Sequence, residues 1–231
     1  FLDAVYVNTS LPVSIKTRIG FEDAAEFRRI LPIFTRYPIH ELILHPRTRS
    51  QLYRGEPHLE TLTMALETLR CPVIYNGDVF EIQDLQRLER DFPGLSGVML
   101  GRGLLSNPAM LRPLQGGKAL QMEDIAHFHD VLFRAYMQKW PPVTAVGRMH
   151  VFLKYFACCL DVPGKYLREA LKANKPDAYQ DAGNCFIRQD CNKTPDICLW
   201  DNFFSLLAKE GFFEIFFESI VTFFGFVQQI K

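Results

Sequence analysis

Residues 73 to 110 constrain the chain most. Two short apolar runs there each end in a small polar cluster: Val73-Ile74-Tyr75 runs into Asn76-Gly77-Asp78, and Gly97-Val98-Met99-Leu100 runs into Gly101-Arg102-Gly103. Apolar runs of three or four residues read as buried parallel strands. A glycine directly after such a run lets the backbone approach a ligand with no Cβ in the way. Each cluster is expected to lead into a helix, Glu81 to Arg90 after the first and roughly Asn107 to Leu111 after the second. The free N–H groups of a helix start attract anions, and Arg102 adds a fixed positive fork. In a (β/α)8 barrel the loops after the last two strands commonly hold a phosphate. The stretch therefore reads as the phosphate end of a cofactor site. Two ordinary βα turns with a surface arginine would give the same pattern.

The units upstream repeat this plan. Val13-Ser14-Ile15 is a short strand ending in Lys16-Thr17-Arg18-Ile19-Gly20, followed by a helix over 22–35 with Phe27, Ile30, Leu31 and Phe34 on one face. Glu41-Leu42-Ile43-Leu44 is a second strand, ending in His45-Pro46-Arg47-Thr48-Arg49, with a helix over 59–69 after it. Lys16, His45, Asn76 and Gly101 then occupy matching positions, separated by 29, 31 and 25 residues. Parallel neighbours need crossovers of about a dozen residues or more, usually helical. Four such units in a row make half of an eight-stranded barrel, with the four positions converging at the C-terminal strand ends. An open doubly wound sheet is the competing arrangement, but no GxGxxG turn follows a strand.

Beyond Gln115-Gly116-Gly117 the pattern turns helical, over 122–139, 143–160, 163–173 and 175–182, with Pro141-Pro142 between the first two. The second of these helices has Met149, Phe152, Leu153 and Phe156 on its core face, and Arg148, His150 and Lys154 among its polar positions. From about Gly183 the chain becomes polar and irregular. Trp200 to Lys231 is then rich in Phe, with Phe212, Phe213, Phe216, Phe217 and Ile220 at helical spacing, as in an amphipathic helix. The expected layout is thus 1–115 a partial barrel, 118–182 a helical domain and 183–231 an atypical tail.

Charge is balanced overall, with 26 Lys and Arg against 26 Asp and Glu. It is unevenly spread: 131–175 holds eight cations against two acids, and 176–231 holds eight acids against four cations. A basic segment in a neutral chain suits an anionic partner such as nucleic acid, and equally a helical surface rich in Lys. The six cysteines form no CxxC pair and none sits beside a His at ligand spacing, so a reducing compartment without zinc is expected. Cys158 and Cys159 read as core thiols. No stretch of about 18 apolar residues is present, so no transmembrane helix is expected.

The loop motifs, in this order, resemble the bacterial tRNA-dihydrouridine synthases. The matching pieces are Leu11 to Gly20 (LPVSIKTRIG), His45 to Arg49 (HPRTR), Tyr53-Arg54-Gly55, Val73 to Val79 (VIYNGDV), Val98 to Pro108 (VMLGRGLLSNP) and Gly147 to Tyr155 (GRMHVFLKY), and the resemblance covers roughly 1–182. The resemblance implies a TIM barrel followed by a helical tRNA-binding domain, and reduction of uridine in tRNA to dihydrouridine by FMN, which NADPH re-reduces. It implies a cytoplasmic enzyme.

By the same resemblance Lys16 lies near the pyrimidine edge of the flavin, where a cation stabilises negative charge. His45 sits at the flavin and uracil side, orienting the ring or, if protonated, stabilising a substrate carbonyl. Asn76, Gly77, Asp78, Gly101 and Arg102 hold the ribityl phosphate. Arg47 and Arg49 approach cofactor or RNA, or brace the loop with Glu56 or Glu60; Arg148, His150 and Lys154 face RNA. Taken alone, Lys16 also fits a barrel-rim ion pair and His45 a satisfied rim histidine.

The family's catalytic cysteine, in an N-x-G-C-P context, and its Ala-Pro-Met type first strand do not occur in these residues. Cys71 precedes a strand, at the other end of the barrel, so no catalytic residue is identified. The four units match the second half of the family's barrel. A missing N-terminal half, or another chain, is then expected over the two unpaired sheet edges, and the residues alone would be inactive. The competing expectation is a non-catalytic module that still binds RNA or a partner.

Overall fold

Four apolar segments form β1 (Ile15–Arg18), β2 (Leu42–His45), β3 (Val73–Asn76) and β4 (Gly97–Met99), paired in parallel in the order β1-β2-β3-β4. The structure is a computed structural model that describes residues 1–160 and 164–188, all within one compact unit spanning Phe1–Pro195. The Phe-rich tail and its amphipathic helix lie outside the described residues. The chain is thus α/β with a four-stranded parallel sheet and many helices.

Alternation sorts each strand into two faces. Leu42, Leu44, Val73 and Tyr75 are buried against α2 (Phe27–Phe34), α3 (Leu59–Thr68) and α4 (Ile82–Asp91), through Phe27, Leu31, Phe34, Leu62, Ala65 and Leu88. Asp23 and Glu26 form a capping box at a short 3-10 turn that leads into α2. The opposite face carries Lys16, Arg18, Ile43, His45, Ile74, Asn76, Gly97 and Met99. Among the described residues β1 and β4 each have one strand neighbour. A short helix α1 (Leu2–Val7) precedes β1, with Tyr6 stacked on Tyr37.

The register corrects two expectations. Arg18, not Lys16, pairs with His45, and Met99, not Gly101, pairs with Asn76. Lys16 lies inside β1, one side-chain step further from the strand end. A third correction concerns the helix expected over 107–111. Helix α5 (Arg102–Ser106) begins at Arg102 itself, and 107–111 is a turn.

A 3-10 turn over Arg112–Gln115 ends at Gly116 in the left-handed region. Helices α6 (Met122–Lys139), α7 (Pro142–Phe156), α8 (Gly164–Lys172) and α9 (Pro176–Ile187) follow. They enclose a second apolar cluster that includes Ile125, Phe133, Met149, Leu153, Phe156, Cys159 and Tyr179. Cys158 and Cys159 are buried, as the apolar run implied. Helix α9 runs five residues past the expected end at 182, and its last turn buries Phe186 and Ile187. Arg112 joins the two clusters through a bidentate pair with Asp124, at 2.9 and 2.7 Å.

Candidate functional site

The C-terminal strand ends bring cations together. Arg18 closes β1 and donates from Nη1 to the carbonyls of Thr48 at 2.7 Å and Leu52 at 2.9 Å. Arg47, in the loop after β2, is 1% exposed and donates from Nη1 to the carbonyls of Arg54 and Gly55, both at 2.6 Å. Leu52 takes φ 54° in the turn that carries these carbonyls inward. The other Arg47 nitrogen, Nη2, pairs with Asp78, and Arg102 pairs with the second oxygen of the same carboxylate. The Arg102 guanidinium stacks 4.1 Å from the Tyr53 ring centroid. One carboxylate thus holds two guanidinium groups, with Arg18 close enough to act on the same ring (5.5 Å from Tyr53).

His45, at the end of β2, is 6% exposed, and its Nε2 has no hydrogen-bond partner among the described residues. Burial lowers its pKa to about 2, helped by repulsion from Arg18, Lys16, Arg47 and Arg102. His45 is therefore neutral near pH 7 in this state. Of the two roles expected for it, a neutral imidazole suits orienting the ring. The same factors, burial first and Arg18 second, lower the Lys16 pKa. Lys16 is nevertheless open to solvent along the strand, so screening keeps that effect small.

The loop after β3 is held from beneath. A Cβ at Gly77 would meet the Tyr75 hydroxyl at 2.0 Å, so any larger residue there would have to displace the buried Tyr75 ring. Asn76 donates its side-chain amide to the Met99 carbonyl at 2.9 Å, tying β3 to the end of β4. Gly101 caps α5, and a Cβ there would meet no atom within 4 Å, so the approach to the Arg102 end of α5 is open.

The residues expected to face RNA divide. Arg49 is exposed, with its guanidinium 4.7 Å from the Phe21 ring centroid. Arg47 is not accessible to a phosphate backbone: it braces the loop, through carbonyls instead of Glu56 or Glu60. Arg148 is half-buried, 4.2 Å from the Trp140 ring centroid, and Lys154 is also half-buried. His150 turns toward the helical core, with Nε2 3.1 Å from the Ala173 carbonyl and its ring 5.6 Å from Tyr179. Burial lowers its pKa, which disfavours the charged form. The open cations of the helical part include Arg134, Lys139, Lys165, Arg168, Lys172 and Lys175. Their helical surface positions follow from the spacing of α6 and α8, so the sequence carried that signal.

Arg18 is the site residue the sequence reading missed; its register with His45 becomes visible only once the strands pair. Cys71 lies two residues before β3, at the opposite end of the strands from His45 and Asn76. Among the described residues no group of three His, Cys, Asp or Glu could hold a metal ion. None of the described helices is long and apolar enough to cross a membrane.

The family described as dihydrouridine synthase (Dus) matches residues 1–189. A tRNA-dihydrouridine(16) synthase of Aquipseudomonas alcaligenes is 29% identical over 153 residues, covering 64% of this chain and 48% of that protein. A tRNA-dihydrouridine synthase B of Shewanella oneidensis is 27% identical over 168 residues, covering 71% and 46%. A probable tRNA-dihydrouridine synthase 2 of Bacillus subtilis is 36% identical over 104 residues, covering 42% and 31%. The chain spans about half the length, or less, of these relatives.

Proposed function

Because this chain belongs to the dihydrouridine synthase family, we propose that it serves the reduction of uridine to 5,6-dihydrouridine in tRNA, as the FMN-binding part of a cytoplasmic flavoprotein re-reduced by NADPH. The observation that carries this reading is the pairing of Arg47 and Arg102 on the single carboxylate of Asp78, with Arg18 on the same Tyr53 ring as Arg102, beside a buried His45 Nε2 without a partner among the described residues. Such a cluster fits a flavin phosphate, and the orphaned imidazole fits a polar edge of the ring. FMN, when bound, supplies the hydride to the uracil.

The chain's own groups do the holding. Arg102, at the open start of α5, takes the phosphate, with Gly101 leaving room for it. Asp78 positions the guanidinium groups: a carboxylate repels a phosphate, and both of its oxygens are already paired. Gly77 and Asn76 keep the loop and the end of β4 in place. Lys16 and neutral His45 line the same sheet face, where a cation and a ring N–H or lone pair orient the flavin.

We read residues 1–115 as the C-terminal half of a TIM barrel. The sequential strand order and the helices packed on one face support that reading. The helical part, extended from 118–182 to Ile187, is the tRNA-binding domain, with its open cations on α6 and α8 and at the ends of these helices as the RNA surface.

Uracil reduction also needs a proton at the neighbouring ring carbon, and a positioned acid is worth about 10²–10⁴-fold. Cys71 is at the wrong end of the strands for that role. The test is to load the 231-residue chain with FMN, remove free flavin, record the flavin absorbance, and assay dihydrouridine on unmodified tRNA with NADPH. Bound flavin without measurable dihydrouridine is expected. Activity that Cys71→Ala abolishes would show that Cys71 is misplaced. A colourless protein that still shifts tRNA would favour the second reading, a non-catalytic RNA-binding module, which the position of Cys71 also suits.

A further inference from the structure

Phe21, in the loop after β1, is 51% exposed although the Arg49 guanidinium lies over its ring, 4.7 Å from the centroid. A single exposed aromatic is ordinary on a protein surface. Phe21 differs in how it is held. The Glu26 carboxylate accepts the backbone N–H groups of Phe21 at 3.2 Å and of Glu22 and Asp23 at 2.8 Å. The Arg49 N–H donates to the Gly20 carbonyl and the Ser50 N–H to the Phe21 carbonyl, each at 2.9 Å. The loops after β1 and β2 are thereby clasped so that ring and guanidinium meet before any ligand arrives, which keeps the ordering cost of binding low.

The clasp stands at the strand-end site. Thr48, which precedes Arg49, gives its carbonyl to Arg18 at 2.7 Å, and Arg18 closes the strand that leads to Phe21. Arg49 is exposed and makes no salt bridge among the described residues. Asp23 turns its carboxylate to the Ala25 N–H at 2.8 Å and Glu26 turns its own to the three N–H groups above, leaving Glu22, also exposed, as the third acid of that turn. An open aromatic ring beside a cation matches a planar base on a phosphate backbone. A base that is to be reduced at its ring carbons has to leave the stack to be reached, which strips its neighbour of a stacking partner. An aromatic ring at the rim of the site replaces that partner.

We propose that Phe21 and Arg49 form a stacking platform for the RNA base next to the target uridine, the ring against the base and the guanidinium toward the adjoining phosphate. The sheet end of the chain then holds RNA as well as the helical part does. This rests on the reading of the strand ends as the place where a tRNA uridine is reduced.

The test measures binding of unmodified tRNA to the 231-residue chain across a salt series, with circular dichroism confirming that each variant is folded. Phe21→Leu keeps the apolar bulk and removes the aromatic face. It should weaken binding about tenfold, within the range of one base–aromatic stack, and leave the salt slope unchanged. Arg49→Gln should instead reduce the slope by about one. Phe21→Trp should bind within about twofold of the unaltered chain. Its fluorescence should be quenched by tRNA beyond the quenching of the unaltered chain, whose own tryptophans are Trp140 and Trp200. Phe21→Leu binding as tightly as the unaltered chain, the result expected of a face that meets protein instead, would overturn the proposal. So would the lack of added quenching in Phe21→Trp, or an unaltered chain that does not bind tRNA. Flavin absorbance is read separately: a colourless chain whose tRNA affinity still depends on Phe21 would defeat the flavin reading and leave the platform standing.

Discussion

The neutrality of His45 makes a quantitative prediction about stability and pH. The folded state holds its pKa down to about 2, whereas in the unfolded chain it titrates near ~6.5. A group whose folded pKa is depressed lends its full stability above the unfolded value. That stability is lost progressively as pH falls from about 6.5 toward the folded value, because the unfolded state then binds the extra proton. At pH 5 the difference amounts to about 2 kcal/mol, and at pH 7.5 to less than ~0.1 kcal/mol. The result barely depends on the folded value so long as it lies below about 4. His129 and His150 are also held below the ordinary range by burial and add to the slope, so the comparison needs His45→Gln, which removes one titration only. Urea unfolding between pH 7.5 and 5, with unchanged m-values, measures it. The wild type should lose about 2 kcal/mol more than His45→Gln over that range. Parallel curves for the two proteins would refute a buried neutral His45.

The other predictions use the same cluster and the helical surface. Arg102→Ala should weaken FMN binding at least about tenfold, since charged hydrogen bonds are worth ~1.5–3 kcal/mol; unchanged affinity in a folded variant would remove Arg102 from the phosphate site. Asp78→Asn should cost about 3 kcal/mol in urea unfolding, because Arg47, 1% exposed, loses its charge partner; a loss under ~0.5 kcal/mol would show that the loop carbonyls suffice for it. tRNA binding should fall steeply with salt through counterion release. Lys165→Ala with Lys172→Ala should flatten that dependence more than Arg148→Ala does, and the reverse order would return the RNA surface to α7.

The strands were legible because short apolar runs ending in Gly and polar clusters have few other uses. The core helices were legible because Phe27, Leu31 and Phe34, or Met149, Leu153 and Phe156, recur at helical spacing. Register was not legible. The loops after the strands differ in length, so aligning Lys16 with His45 by motif placed it two residues from its true counterpart, Arg18. A slip of two keeps the face, which is why Lys16 still lines the same side. Helix α5 was misplaced because Gly101 and Gly103 argue for a loop, yet Gly103 is needed where the helix presses on Val79. At Gly183 the sequence suggested a break. Helix α9 nevertheless runs through it, with the His129 ring in ordinary contact distance, 3.5 Å from where a Cβ would stand. The burial of Arg47 depends on carbonyls from Arg54 and Gly55, a feature of turn geometry with no mark in composition.

The balance of charge in the site argues for what it binds. Arg47 and Arg102 share one carboxylate, Arg18 donates to neutral carbonyls, and exposed Lys16 makes no salt bridge among the described residues. Their residual repulsion is visible in His45, whose pKa all four cations push the same way as burial does. A structural ion-pair network would tend to balance its charges, since uncompensated buried cations are costly. A site that keeps an excess of guanidinium at a strand-end opening instead gains stability when a dianion arrives. Linkage then requires that phosphate binding ease the repulsion felt at His45 and raise its pKa. Once that rise carries the folded pKa above about 4, the pH slope attributed to His45 becomes shallower with FMN bound than without it, which ties the imidazole and the arginines to one ligand.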